Sequence, residues 1–181
     1  SGRGGPAPVE RRPTVRVTWY LLDSGRLVES PAPAGWQAAS LDPMSEIWLD
    51  IENPEPEQLR TLLAPLALHP LVLARCLMAK NIPGTLSSDS AVLLEFPAVL
   101  AAEDDDPTYL TLALRSGVLL TLRSASMPAL DDLVRELTGD EAAVIEDLAQ
   151  LMYLMLDHLA DLPAALFRFT PPAGADVVEQ K

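Results

Sequence analysis

Alternation of apolar and polar residues near the start of the chain is typical of a β-strand. Apolar side chains occupy every second position from Val15 to Leu21, between Arg16, Thr18 and Tyr20. The turn signal Asp23-Ser24-Gly25 follows this run, and Leu27-Val28 predicts the beginning of a return strand. The pattern therefore predicts an antiparallel pair at the beginning of the ordered part of the chain.

Continuous apolar runs later in the chain predict further strands. These strands are expected at residues 47–51, 91–100, 109–114 and 118–122. The last two flank Arg115-Ser116-Gly117 and should form a hairpin. Pro97 has no N–H to donate to a sheet, so it predicts an edge position or a bulge. The polar residues 81–90, which include proline and glycine, predict a loop.

Helical spacing of apolar residues occupies four other segments. Asn53-Pro54 predicts a helix start with Asn53 as the cap, and Pro65 predicts its end. A second short helix should begin near Pro70, and two further helices are expected at residues 128–137 and 141–162. The buried residues expected for the first two helices are Leu59, Leu62, Leu63 and Leu66, then Leu71, Leu73, Leu77 and Met78. The order of these elements predicts the α/β class, with a mixed sheet covered by helices.

The charge of the chain narrows its possible partners. Lys and Arg number 13 and Asp and Glu number 26, so the net charge is −13. Such a chain repels nucleic acid and anionic lipid and attracts cations, although acidity can also serve only solubility. Cys76 is the only cysteine, which excludes an internal disulfide and a Cys-based zinc site and suits a reducing compartment. We find no apolar run long enough to span a bilayer.

One pair of carboxylates has the spacing of a metal site. Asp157 and Asp161 lie one turn apart on the last predicted helix, so they share a face and could hold Mg²⁺ or another divalent cation through oxygen. Two ligands are too few for a strong site, and a partner subunit would have to supply more. A solvated acidic face is the alternative interpretation, and it also applies to the acidic run at residues 103–106.

Other polar residues are interpreted as structural. His69 precedes a proline at a predicted helix start, where it should cap or pack, and Cys76 lies among apolar helical residues. Asp50 ends a strand and is expected to bond to the backbone at the start of the next helix. We find no phosphate-binding glycine loop, no nucleophile elbow and no His-Glu-x-x-His motif. We therefore expect no catalytic residues and no organic cofactor, and the chain is not predicted to be an enzyme.

Several segments, read in order, resemble the family of CorA magnesium transporters and their zinc-transporting relatives. The resemblance covers roughly residues 45–162 and depends on order and spacing rather than on one motif. The segments that carry it are Trp48-Leu49-Asp50-Ile51, the acidic helix after it, Leu68-His69-Pro70-Leu71, Ala91-Val92-Leu93-Leu94, the hairpin 109–123 with Gly117 at its turn, and residues 151–161.

The resemblance implies an α/β/α sandwich with a mixed parallel and antiparallel sheet, like the cytosolic domain of CorA. In that family five copies form a funnel below a pore on the cytosolic side of the membrane, and Mg²⁺ between the domains holds the channel shut. The chain is thereby expected to be a regulatory cytosolic domain of a transporter of Mg²⁺, Co²⁺ or Zn²⁺. Its domain would span residues 14–162, after a disordered tail at 1–13 and before a tail or truncated stalk at 163–181.

The chain departs from the family pattern in three places. It has no Gly-Met-Asn motif and no transmembrane segment, so it is not expected to conduct ions itself. Pro163 and Pro171-Pro172 interrupt the expected stalk helix. Ala74-Arg75 stands where the family carries an acidic pair that contributes to a magnesium site. A stand-alone binding or scaffold protein with the same fold is the alternative, and without membrane helices we expect a monomer or weak dimer.

Overall fold

A mixed β-sheet between two layers of helices organises the fold. The structure is a computed structural model that describes residues 14–31, 46–78, 84–88, 91–99 and 108–160, and the statements below refer to these residues. The strands are β1 (Arg16–Asp23), β2 (Arg26–Ser30), β3 (Glu46–Glu52), β4 (Gly84–Ser88), β5 (Ala91–Val99), β6 (Thr108–Arg115) and β7 (Val118–Arg123). The helices are α1 (Pro56–Leu63), α2 (Pro70–Leu77), α3 (Pro128–Thr138) and α4 (Leu148–Ala160), and a 3₁₀ turn, Ala64–Leu66, follows α1.

The sheet has seven strands in the order β2-β1-β3-β7-β6-β5-β4. Strands β3 and β7 pair in parallel, whereas the other neighbouring strands pair antiparallel. The predicted class, an α/β/α sandwich with a mixed sheet, is therefore confirmed. The parallel pair lies near the middle of the sheet, where helices cover both faces.

Strand β3 shows how one apolar run supplies two cores. Its five central residues are all buried, and successive side chains point to opposite faces. Ile47, Leu49 and Ile51 pack in a cluster with buried residues of α1 and α2. Trp48 packs on the opposite face in a second cluster, together with buried residues of α3 and α4. Met155 belongs to this second cluster, and the partly buried Met152 packs against it.

Both predicted hairpins and the predicted bulge are confirmed. Strands β1 and β2 join at Ser24 and Gly25, and β6 and β7 join at Gly117, all with positive φ. A Cβ atom on Gly25 would lie 2.5 Å from Cγ1 of Val144, so the turn also needs glycine for space. The pairing of β5 with β6 shifts between Pro97 and Val99, which is the irregularity that Pro97 indicated.

The predicted start of the first helix is wrong. Helix α1 begins at Pro56 rather than Pro54, and Glu55 occupies the cap position without a side-chain hydrogen bond. Asn53 has a left-handed φ of 55°, and its N–H donates to the carbonyl oxygen of Arg123 at 2.8 Å. Asn53 therefore ends the parallel pairing instead of capping the helix. The predicted end is confirmed, because α1 stops at Leu63 and Pro65 lies in the 3₁₀ turn.

Helix α2 buries only part of the face expected, because Leu73 and Leu77 pack against the core whereas Leu71 and Met78 do not. Val72 and Cys76 are buried, whereas Leu71 is 60% exposed and Met78 is 57% exposed. Nearly every residue of this short helix is apolar, so periodicity could not select the inner face. The structural interpretation of Cys76 is confirmed, and so is that of His69, whose Nδ1 accepts the N–H of Leu71 at 3.2 Å.

Two further predictions of secondary structure are wrong. Gly84–Ser88 forms the edge strand β4 instead of a loop, because β5 provides an antiparallel partner. The last helix begins at Leu148 rather than at residue 141. The segment before it is not helical, since the N–H of Ile145 donates to the carbonyl oxygen of Gly25 at 2.9 Å. The tails at 1–13 and 163–181 and the acidic run at 103–106 lie outside the described residues.

Candidate functional site

The carboxyl end of the parallel pair brings together charged residues that are distant in sequence. Asp50 of β3 lies opposite Thr121 of β7, and Glu52 lies opposite Arg123. Parallel strands end at the same edge of a sheet, so these side chains meet there. Helix α3 begins shortly after β7 and carries Asp131 in its first turn. We call Asp50, Thr121, Arg123 and Asp131 the Arg123 network.

Arg123 is the centre of this network. Its Nη2 donates to Oδ2 of Asp50 at 2.6 Å, and its Nε donates to Oδ1 of the same carboxylate at 3.2 Å. Its Nη1 donates to Oδ1 of Asp131 at 2.9 Å and lies 3.6 Å from the carboxylate of Glu52. The Arg123 and Asp50 side chains are 1% and 2% exposed. The guanidinium therefore forms a bidentate, desolvated ion pair with Asp50 on β3. Its separate bond to Asp131 joins β3 to α3.

The remaining oxygen contacts of Asp50 come from the sheet itself. The Thr121 hydroxyl donates to Oδ1 of Asp50 at 2.6 Å, and the indole N–H of Trp48 donates to the Thr121 oxygen at 3.0 Å. At the surface, Arg16 donates to Glu52 at 2.7 Å and to Asp131 at 3.0 Å. The buried carboxylate is thus well supplied with donors, as a charge in an apolar core requires.

The electrostatics of the network favour a structural role. Burial lowers the pKa of Arg123, but the hydrogen bonds and negative charges of Asp50 and Asp131 outweigh burial and raise it above its usual value. Carboxylates converge here as they would around a metal, but a permanent guanidinium occupies the centre. Within the described ranges no group of three or more His, Cys, Asp or Glu residues is arranged to hold a metal ion.

The sequence analysis expected a structural role for Asp50, and the structure agrees with that role. The expected bonding partner was wrong. Asp50 bonds to the side chains of Thr121 and Arg123, not to the backbone of the next helix. A signal existed in the sequence, because Asp50 interrupts the apolar run 47–51 and Arg123 directly follows the apolar run 118–122. Such residues are buried only when they are paired. The pairing itself depends on the parallel register, which the sequence does not show.

The structure describes one of the two carboxylates expected to bind metal. Asp157 lies on α4 with its side chain exposed, and His158 beside it is partly exposed. Asp161 lies outside the described residues. The assignment of Asp157 and Asp161 as metal ligands stays a prediction.

Arg75, which replaces an expected acid, is engaged within its own chain. Its guanidinium forms an ion pair with Glu95 of β5, whose side chain is 2% exposed. Gly84 lies opposite Glu95 in the β4–β5 pairing, and a Cβ atom there would come within 2.6 Å of Nη2 of Arg75. The arginine therefore packs across the edge of the sheet and ties α2 to β5.

Tyr20 is expected to make the free energy of unfolding depend on pH in the alkaline range. Its ring stacks on Trp48 at 4.5 Å, and burial, with the charges of Asp50 and Glu29, raises its pKa from 10.0 to about 12. The unfolded chain loses this proton first, so the stabilisation is complete below pH 10 and is lost as the pH rises towards 12. We expect Tyr20→Phe to reduce this alkaline decline by on the order of 1 kcal/mol. Urea unfolding across the alkaline range measures it.

The exposed Tyr153 supplies the matched control for this measurement. Tyr153→Phe should leave the alkaline decline unchanged, because the Tyr153 side chain is 66% exposed and its replacement alters no buried contact. Equal pH profiles for the wild type and Tyr20→Phe would contradict the assigned role of Tyr20.

Comparison with solved structures finds many chains of similar fold, among them the following three. The full-length CmaX protein superposes with a TM-score of 0.64 at 20% identity, over 80% of this chain and 45% of that one. The ZntB cytoplasmic domain from Vibrio parahaemolyticus superposes with a TM-score of 0.62 at 15% identity, over 78% of this chain and 56% of that one. The CorA magnesium transporter from Methanocaldococcus jannaschii superposes with a TM-score of 0.60 at 21% identity, over 82% of this chain and 45% of that one. The chain therefore shares their fold and spans about half their length.

Comparison with curated proteins gives no match. No helix in the described part of the chain has the length and apolar character needed to cross a bilayer. The profile of the CorA-like Mg²⁺ transporter protein family matches residues 45–166, which is most of the chain and nearly the range over which the sequence resembled it. The chain belongs to the CorA-like Mg²⁺ transporter family.

Proposed function

We propose that this chain is the metal-responsive cytosolic domain of a CorA-like divalent-cation transporter. The observation that carries the proposal is the family match over residues 45–166. The sandwich fold supports it, since one structural relative is described as a magnesium transporter and another as a cytoplasmic domain of ZntB. The pore itself would belong to other parts of the assembled transporter.

Charge supplies the physical basis of the response. With a net charge of −13, copies of the domain repel one another when they approach. A divalent cation shared between two copies would offset that repulsion and favour the assembly that brings carboxylates together. Through linkage, the same cation would bind more tightly to that assembly than to separated domains. The proposed partners are therefore copies of the same chain and divalent cations.

Helix α4 is the proposed location of the cation. Asp157 is exposed there, and Asp161 follows one turn later in the sequence. Helix α2 is a poorer candidate, because Arg75 occupies it and pairs with Glu95. Two carboxylates from one copy leave most positions of a six-coordinate Mg²⁺ open, so water and a second copy would complete the shell.

Titration calorimetry with MgCl₂, CoCl₂ and ZnCl₂ tests the proposal. We expect saturable heats at submillimolar to millimolar metal, and the double variant Asp157→Asn/Asp161→Asn should weaken binding by about tenfold or more. Sedimentation velocity with and without the metal reports whether binding brings copies of the domain together.

Asp140→Asn is the matched control, because Asp140 is an exposed acid away from α4 and its loss changes the net charge only slightly. Equal losses for the control and the double variant would indicate diffuse attraction rather than a site. Flat heats with all three metals would refute metal sensing by this chain and favour a binding or scaffold role of the same fold.

A further inference from the structure

A cavity of about 330 Å³ lies at the carboxyl end of the parallel pair, and Arg123 contributes to its wall. Residues following β3 and β7 form part of its wall, and the first turn of α1 and the last turn of α2 form another part. We call it the switch-point cavity. The lining residues used below are Asn53, Leu59, Cys76, Met78, Leu122 and Ser124.

The topology of the sheet explains why a crevice forms here. After β3 the chain continues into α1, which packs on the face of Ile47 and Leu49. After the neighbouring β7 it continues into α3, which packs on the face of Trp48. The two chain segments therefore diverge to opposite faces from adjacent parallel strands. Such a topological switch point is where open α/β sheets place their ligand sites.

The two sides of this switch point differ in chemistry. On the α3 side, the Arg123 guanidinium fills the space and binds Asp50 and Asp131. On the α1 and α2 side, apolar surfaces of Leu59, Met78 and Leu122 dominate the wall. The volume lies at the lower end of the range for small-molecule sites, which suits a ligand of one or two rings.

The described lining residues offer a charged ligand no free countercharge, since they include no carboxylate that could bind a cation. The one arginine among the described lining residues is Arg123, and its donors are engaged with carboxylates. The net charge of −13 also opposes an anion. The Ser124 hydroxyl accepts the N–H of Tyr109 at 3.0 Å and can still donate its own proton. Asn53 adds an amide, so the wall suits a neutral ligand with a hydrogen-bond acceptor.

We propose that the switch-point cavity binds a small uncharged organic molecule, with an apolar body of one or two rings and a carbonyl-type acceptor facing Ser124. This site is separate from the proposed cation site on α4, and Arg123 is the residue that it shares with the Arg123 network. It would give the domain a second ligand whose binding does not require a partner copy.

Acetophenone is a suitable probe, because it combines one apolar ring with a neutral carbonyl. Titration followed by ¹H–¹⁵N correlation spectra should give saturable shifts that cluster at the amides of Asn53, Leu59, Cys76 and Ser124. The chain has a single cysteine, so mass spectrometry provides a second measurement. Acetophenone should slow alkylation of Cys76 by N-ethylmaleimide in the native protein.

Two variants, one within α2 and one at the residue that follows it, separate a specific site from surface adsorption. Met78→Trp places a large ring at the rim of the cavity, whereas Leu71→Trp places one at an equally exposed position outside the wall. We expect Met78→Trp to weaken acetophenone binding by about tenfold or more and Leu71→Trp to leave it unchanged. Absence of saturable shifts, or equal effects of the two variants, would overturn the proposal.

Discussion

Replacing Arg123 by methionine is expected to lower the free energy of unfolding by about 3–5 kcal/mol. The substitution keeps much of the apolar stem but leaves the Asp50 carboxylate buried at 2% exposure without its cation. Asp131 loses the same partner but is partly exposed, so water can solvate it. Equilibrium urea unfolding, followed by circular dichroism, measures the loss.

An exposed ion pair elsewhere in the molecule provides the comparison. Arg135 pairs with Asp132 on α3, and their side chains are 76% and 60% exposed. Arg135→Met should therefore cost less than about 1 kcal/mol. The double variant Asp50→Leu/Arg123→Met should recover part of the loss, because it removes both buried charges. If Arg123→Met cost no more than Arg135→Met, the ion pair would not be desolvated as the structure has it.

Replacing Trp48 by alanine is expected to cost about 3–5 kcal/mol of unfolding free energy. Trp48 is 0% exposed, and its removal leaves a cavity between the sheet and helices α3 and α4. The loss of its stacking on Tyr20 and of the hydrogen bond to Thr121 adds to the effect. Chemical unfolding followed by far-ultraviolet circular dichroism avoids dependence on tryptophan fluorescence.

Trp48→Phe separates packing from hydrogen bonding at this position. Phenylalanine keeps a stacked ring but cannot donate to Thr121, so a smaller loss of about 1–2 kcal/mol is expected. Equal losses for the alanine and phenylalanine variants would show that the hydrogen bond, rather than the buried ring, dominates the contribution of Trp48.

The fold was largely predictable where the pattern was local and strong. The alternation from Val15 to Leu21 and the turns at Gly25 and Gly117 led to the correct hairpins, because strand period and turn chemistry act over a few residues. The cap at His69 and the irregularity at Pro97 were predictable for the same reason.

Errors occurred where a distant partner decided the local structure. Strand β4 exists because β5 lies beside it, although its own sequence is polar. The residues before α4 stay non-helical because Ile145 bonds to the turn at Gly25. The buried face of α2 is set by the side of the helix that packs on the sheet. Its sequence is apolar at almost every position, so hydrophobic periodicity does not distinguish a buried face from an exposed one.

For the candidate sites, spacing along the sequence predicts which residues share a face of one helix, but it does not predict contacts across the sheet. Asp157 and Asp161 share a predicted face because the helical period is local. Asp50 and Arg123 are 73 residues apart, and only the parallel register of β3 and β7 brings them into contact. The switch-point cavity also depends on tertiary structure, because it arises where two chain segments leave adjacent strands towards opposite faces.

The amino-acid sequence by itself determined the class of fold, the acidic character and the family of this protein, because these follow from composition, local periodicity and the order of segments. Only the tertiary structure decided that the central charges form a buried ion network, that Arg75 pairs within its own chain, and that a cavity opens beside them. The physical reason is that burial and ion pairing depend on which distant strands become neighbours.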